Sequence, residues 1–203
     1  AIIQVVRCFE DADVHHVGGH VDPVSDIEVI NTELMLADLD SVKKRRERLG
    51  KDIKRGDKLA AAEDAVLEKI ETALDAGKPV LTVELTDEER VLSAPLFLLS
   101  DKPTIFACNV LDAELATADV NPFVRKVRDY VGTHLACEAV VISAQIESDL
   151  VDLAPDEAQA FLADLGVKES GLDALIRSTY HLLGLQTYFT AGEKEVRAWT
   201  IHA

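Results

Sequence analysis

Three short runs rich in β-branched and apolar residues mark the chain: residues 2–8, 104–108 and 139–142. Runs of this kind predict strands buried in a parallel sheet. Between the first two, the pattern changes twice. Residues 10–25 hold Gly18, Gly19 and Pro23 and read as a loop. From Asp26, placed to cap a helix, apolar positions recur at helical spacing: Ile27, Ile30, Leu34, Ala37 and Ser41, on a helix running to about Gly50. Arg55-Gly56-Asp57 signals a turn. A second stripe follows with Leu59, Val66, Ile70, Ala73 and Leu74. Two helices joined by so short a turn predict an antiparallel helical hairpin. Gly77-Lys-Pro79 ends it.

Thr86-Asp-Glu-Glu89 is a capping box for a further helix towards Leu99, with a kink or break at Pro95. Asn121-Pro122 opens a helix to about Tyr130, and helices are predicted at 155–165 and 171–183. Residues 195–201 alternate and predict a last strand, with Trp199 as a core residue. Strands separated by helices place the chain in the α/β class with a parallel sheet. No internal repeat or low-complexity segment interrupts this order.

Composition narrows the function classes. The 203 residues are 48% hydrophobic and 29% charged, an ordinary globular balance. No run reaches the roughly 18 apolar residues of a membrane span, and the start has no basic n-region or small-residue cleavage site, so neither membrane insertion nor a secretory leader is expected. Cys8, Cys108 and Cys137 are odd in number and far apart, which suits reduced thiols in a cytoplasmic protein. The net charge of −16 argues against nonspecific nucleic-acid binding, and DNA is not an expected partner. One segment runs the other way. Lys43, Lys44, Arg45, Arg46, Arg48, Lys51, Lys54, Arg55 and Lys58 face only Glu47, Asp52 and Asp57. They are expected at the tip of the hairpin, as a solvated helix end or a salt-sensitive contact with RNA phosphates.

Two loops could carry chemistry. The second predicted strand runs into Asn109-Val110-Leu111-Asp112, and the third into Ser143-Ala144-Gln145. At such positions P-loop GTPases use Asn-Lys-x-Asp, whose carboxylate accepts from guanine N1–H and N2–H₂, and Ser-Ala-Lys, whose backbone N–H groups meet the exocyclic atom. Val110 and Gln145 stand where the lysines would be. Either loop alone is an ordinary turn. Their order and spacing suit two adjacent base-binding loops at the C-terminal edge of a parallel sheet. His15, His16 and His20, with Asp11, Asp13 and Asp22, lie in the early loop but lack zinc spacing and read as solvated. No Gly-x-x-x-x-Gly-Lys-Ser/Thr occurs in the sequence.

The stretch Gly184-Leu-Gln-Thr-Tyr-Phe-Thr-Ala-Gly-Glu-Lys-Glu-Val-Arg-Ala-Trp-Thr-Ile201 closely resembles a block of the Obg-like ATPases of the YchF group, and Val5-Val-Arg-Cys-Phe-Glu10, Asn31-Thr-Glu-Leu34 and Ala37-Asp-Leu39 resemble other segments of that group in the same order. The resemblance covers essentially the whole chain. It implies a portion of a P-loop NTPase sheet with an inserted antiparallel helical arm and the start of a β-rich TGS domain. The implied division is 1–25 and 100–183 for the nucleotide-binding domain, 26–99 for the arm, and 184–203 for a linker and first TGS strand. It further implies hydrolysis of ATP, of GTP less well, with Mg²⁺, and association with ribosomes. Asn109, Val110, Asp112, Ser143 and Ala144 would line the purine pocket. The group's motif is Asn-x-x-Glu, so Asp112 departs from it; either the shorter acid restores guanine reading or Glu114 is the relevant carboxylate. No catalytic residue and no Mg²⁺ ligand carries over to this chain; the phosphate-binding loop, the Mg²⁺-binding hydroxyl and the Asp-x-x-Gly switch are expected before Ala1. The alternatives are a non-catalytic RNA- or ribosome-binding module and a guanine-preferring GTPase.

Overall fold

A computed structural model describes residues 1–11, 19–134 and 138–202. Asp13, His15, His16, Gly18 and Cys137 lie outside the described residues, as does the side chain of His134. In chain order the elements are β1 (Ile2–Arg7), α1 (Pro23–Lys54), α2 (Lys58–Asp75), α3 (Asp87–Ser93), β2 (Thr104–Asn109), α4 (Pro122–His134), β3 (Ala139–Ile142), α5 (Ala144–Leu150), α6 (Pro155–Asp164), α7 (Gly171–Leu182), β4 (Leu185–Ala191) and β5 (Val196–His202). Short 3₁₀ turns occupy Val80–Thr82, Ala94–Leu96 and Asp112–Val120. The chain divides into two compact units, Ile27–Lys102 and the remainder.

The Ile27–Lys102 unit is built on α1 and α2. Gly56 sits at φ 87°, a left-handed turn conformation that glycine adopts without a Cβ penalty. Asp57 then caps α2 by accepting the N–H groups of Leu59 and Ala60. Gly77, at φ 71°, ends α2 with Lys78 N–H bonded back to Ala73 O. α1 starts earlier and ends later than expected, so Asp26 lies in its first turn and Gly50 in its interior.

The packed face of α1 also differs from the expected stripe. Ile27 is fully buried, but Ala37 and Ser41 are exposed. The side packed on α2 runs Met35, Leu39, Val42, Leu49 and Ile53. Asp38 and Arg46 fall within that spacing, and their polarity disguised it. On α2, Leu59 is 67% exposed while Ala60, Val66, Leu67, Ile70 and Leu74 are buried. The apolar contact therefore continues past Val42 to Leu49 and Ile53.

Asp38 is the buried anchor of this unit. It is 3% exposed, and its carboxylate accepts from Leu99 N–H, Ser100 N–H and Ser100 Oγ, each at 2.7 Å. The Ser100 hydroxyl in turn accepts from Val80 N–H at 3.2 Å. One carboxylate thus ties α1 to the segment entering β2. The Thr86–Glu89 capping box forms as expected, and α3 gives way to a 3₁₀ turn at Ala94, just before Pro95.

The other unit holds a parallel sheet in the order β1-β2-β3, with Val6 opposite Cys108 and Asn109 opposite Ile142. Ile105, Ala107 and Ile142 pack with Leu175 of α7, while Val124, Val127 and Val131 bury one face of α4. Cys8 and Cys108 are buried free thiols. The hydrogen bond with Cys108 and burial push the Cys8 thiol far above the usual thiol range. β1 is only half buried, because Val5 is 63% exposed on the face opposite Gln4 and Val6.

Gln4 is buried with its Oε1 unpaired among the described residues. A buried amide oxygen without a donor costs about 1–3 kcal/mol. Gln4→Met, which removes the orphan at similar volume, is expected to stabilise the protein by about 1 kcal/mol, read as a higher midpoint in urea denaturation.

β4 and β5 form an antiparallel hairpin with Tyr188 opposite Trp199. The expected core position of Trp199 is not found: it is 44% exposed, donates its indole N–H to Thr190 Oγ1 at 2.8 Å, and lies beneath the Arg197 guanidinium. Alternation marks a strand with one buried face, yet the described part of this hairpin has no second layer to bury it.

Candidate nucleotide-base site

In a parallel sheet the C-terminal strand ends bring successive loops together on one edge. Asn109 is the last residue of β2, and Ser143 follows the last residue of β3. The structure brings the two loops into contact. Asn109 Oδ1 accepts the backbone N–H of Ala144 at 2.9 Å. Beside it, Val110 N–H donates to Ile142 O at 2.9 Å, and Cys8 N–H donates to Asn109 O at 2.8 Å. Asn109 thus links the ends of all three strands.

The remaining candidates take distinct places. Val110 is buried, so its side chain belongs to the core and offers nothing to a purine face. Ser143 is also buried; its hydroxyl caps α5, a helix the sequence analysis missed, by accepting Ile146 N–H at 3.5 Å. Its hydroxyl is therefore committed, and in exposed Ala144 the backbone N–H is held by Asn109 Oδ1. The signal that could have revealed α5 is the Ser143-x-x-Ile146 cap followed by Glu147.

The two candidate acids separate. Glu114 is half buried, and its carboxylate accepts from Asn121 Nδ2 at 3.2 Å. That amide also donates to Cys8 O at 3.1 Å, while Asn121 Oδ1 caps α4 by accepting Phe123 N–H and Val124 N–H. Glu114 therefore braces the loop. Asp112 is exposed, with one carboxylate oxygen accepting the Ala113 N–H at 2.9 Å.

β3 is held from below by α7. Gly171 lies so close that a Cβ there would stand 2.9 Å from Ile142 Cα. Its N–H donates to Glu147 Oε1 at 2.7 Å, which joins the start of α7 to α5.

The basic candidates divide into two sets. Arg45 makes a forked pair with Glu63 at 2.6 and 2.8 Å. Arg46 bonds Asp64 at 2.8 Å and Glu71 at 2.6 Å, with Glu68 at 3.4 Å; its hydrogen bonds to Asp64 and Glu71 raise its pKa above the ordinary arginine value. Lys43 pairs with Asp75 and Glu71, and Lys44 with Asp40. Nearer the turn, Arg48, Lys51, Lys54, Arg55 and Lys58 are all exposed, and among the described residues only Arg55 of these has a carboxylate partner, Asp52 at 3.4 Å. Among the described residues no three His, Cys, Asp or Glu side chains gather as a metal site. No helix among them is long and apolar enough to cross a membrane.

No family model matches the chain. Among curated proteins, the "Ribosome-binding ATPase YchF" of Bacillus subtilis (strain 168) is 48% identical over 200 residues, 98% of this chain and 54% of the relative. The protein of the same name from Escherichia coli O157:H7 is 44% identical over 201 residues, 99% of this chain and 54% of the relative. Among solved structures, that of the Schizosaccharomyces pombe YchF GTPase matches with a TM-score of 0.82 at 31% identity, covering 100% of this chain and 55% of that one. The chain spans about half the length of the curated relatives it matches.

Proposed function

This chain belongs to the YchF family, and from that premise we propose that it supplies the base-recognition edge of a nucleotide site in a cytoplasmic protein that hydrolyses ATP and associates with ribosomes. The division of labour follows the elements: 1–25 and 100–183 carry the nucleotide-binding domain, 26–99 the arm, and 184–203 the start of a TGS domain. Triphosphate and Mg²⁺ are held by residues outside this chain, which itself contributes no catalytic side chain.

The observation that carries the reading is the Asn109 Oδ1 to Ala144 N–H bond at 2.9 Å. It holds the two loops at one strand edge, so that a purine can meet both without either loop ordering first. Preorganisation of this kind raises affinity by removing an ordering cost. Asp112, the exposed acid, is the carboxylate we assign to the base, because Glu114 is engaged by Asn121. Val110, Ser143 and Ala144 shape this edge, with the Val110 and Ala144 N–H groups held by Ile142 O and Asn109 Oδ1.

Asn109→Ala is expected to weaken ATP binding by the full-length protein about 10- to 100-fold, the equivalent of losing about 1.4–2.8 kcal/mol. Isothermal titration reads it directly; unchanged affinity in a folded variant overturns the assignment. The name of the Schizosaccharomyces pombe structure favours a second reading, a guanine preference. An aspartate at 112 suits guanine N1–H and N2–H₂ donors. If that reading holds, Asp112→Ala lowers GTP affinity and leaves ATP affinity unchanged.

A further inference from the structure

The candidate base edge is short and is held from two sides. Asn109 holds one side through Ala144 N–H. The other side is α5, which has seven residues and buries one side chain, Ile146. A helix this short has little stability of its own, since isolated helices need roughly 12–15 residues to be even marginal in water. Its N-cap is also weak: Ser143 Oγ meets Ile146 N–H at 3.5 Å, longer than an ordinary hydrogen bond. The position of α5 therefore depends on ties to neighbouring elements.

Glu147 supplies such a tie. Its backbone N–H donates to Ser143 O at 3.0 Å and so closes the first turn of α5. Its side-chain Oε1 accepts Gly171 N–H at 2.7 Å, from 24 residues along the chain. Gly171 opens α7, and the first N–H groups of a helix have no acceptor within it. Ser170 Oγ serves Asp173 N–H. The Gly171 N–H is served by Glu147, whose carboxylate suits the positive end of the α7 dipole. Gly171 also lies against Ile142, the last residue of β3. Ile142 before the Ser143-Ala144 edge and Glu147 after it thus converge on one residue of α7.

We propose that Glu147 is a positioning residue of the base site. By fastening α5 to the start of α7 it fixes where Ser143 and Ala144 stand beside Asn109, and it sets purine affinity without touching the purine. This inference rests on the base-recognition edge proposed above. Without the Glu147 tie, α5 samples several positions, and a nucleotide must order the edge as it binds, a cost subtracted from affinity. The triphosphate and the reacting groups are held outside this chain, so the cost falls on binding and not on the chemical step. KM for ATP then rises while kcat holds, the pattern of an interaction made equally in the ground and transition states.

The test measures ATP affinity by isothermal titration, and KM and kcat by steady-state hydrolysis, on the full-length protein. Glu147→Ala is expected to weaken ATP binding and raise KM about tenfold, with kcat within about twofold of wild type. Glu147→Gln keeps the accepting oxygen and should stay within about threefold of wild type, because a neutral acceptor retains part of the bond. Glu147→Asp keeps the charge but falls one methylene short of Gly171 N–H. It should repeat the selective rise in KM, and it decides the matter if the alanine variant unfolds. Glu157→Ala is the control, since its carboxylate serves the start of α6 by accepting Ala154 N–H at 3.2 Å; it should match wild type. Equal losses in the alanine and glutamine variants, a fall in kcat as large as the rise in KM, or an equal loss in Glu157→Ala would each reduce Glu147 to a general structural role and overturn the proposal. Wild-type affinity in Glu147→Ala and Glu147→Asp, with Asn109→Ala weakened, overturns it and leaves the base edge standing. Wild-type affinity in both Glu147→Ala and Asn109→Ala sinks the base edge as well.

Discussion

Asp38→Ala is expected to lower the unfolding free energy by about 3–4 kcal/mol. The reason is the asymmetry of buried hydrogen bonding. The carboxylate satisfies two backbone N–H groups and a hydroxyl within a largely buried pocket. Removing it strands three donors at about 1–3 kcal/mol each if none relaxes, and partial rehydration brings the sum down. The buried Ser100 hydroxyl also holds Val80 N–H, so the loss reaches the segment that follows α2. Asp38→Asn keeps one acceptor oxygen of nearly the same shape and should cost about half as much. Thermal melts followed by helical circular dichroism should separate the two, with a drop of about 10 °C for the alanine variant. Equal, small drops for both would mean that packing rather than the three bonds anchors this junction.

Gly171→Val should be nearly as costly, at about 3 kcal/mol, with Gly171→Ala at about 2 kcal/mol. A Cβ at this position meets Ile142 Cα and Cγ2 at 2.9 Å. Backbone cannot rotate aside as a side chain does, so α7 must move off β3. Ile142 immediately precedes Ser143 and Ala144, and its carbonyl receives Val110 N–H. The displacement therefore falls on the candidate base site, and nucleotide affinity should decline together with stability. Gly132→Ala is the control. Its Cβ would meet nothing within 4 Å in the interior of α4, and replacing a helical glycine should stabilise by up to about 1 kcal/mol. If Gly171→Ala were as benign as Gly132→Ala, close packing would not be what sets the position of β3.

Much of this architecture is legible in the sequence because local signals and tertiary needs agree. The Thr86 capping box, the Asp57 turn, the Asn121-Pro122 start and the β2 and β3 runs all use residues whose local chemistry suffices. The failures share a physical cause. Asp38 and Arg46 occupy packed positions of α1 because partners elsewhere in the Ile27–Lys102 unit satisfy them, and those partners are invisible in a hydrophobicity pattern. Leu59 sits in the first turn of α2 but is 67% exposed while Ala60 beside it is buried, so its apolar character misplaced the stripe. α5 is seven residues long, too short for periodicity to show. β4 was not separated from the loop before β5 because Gln186, Thr187 and Thr190 break its apolar run. At the candidate site the order of Asn109 and Ser143 was readable, but their bridge through Ala144 N–H was not, since a backbone donor leaves no mark in a sequence. The engagement of Glu114 by Asn121 was equally hidden, seven residues apart in the chain.

The most direct test of the base-recognition edge is amide NMR of the full-length protein titrated with ATP and, separately, with adenosine. The account predicts saturable shifts for Asn109, Ala113, Ala144 and Gln145 with both ligands, while Lys51, Lys54 and Lys58 stay still. Saturable ATP binding that leaves the Asn109 and Ala144 resonances unmoved would contradict it.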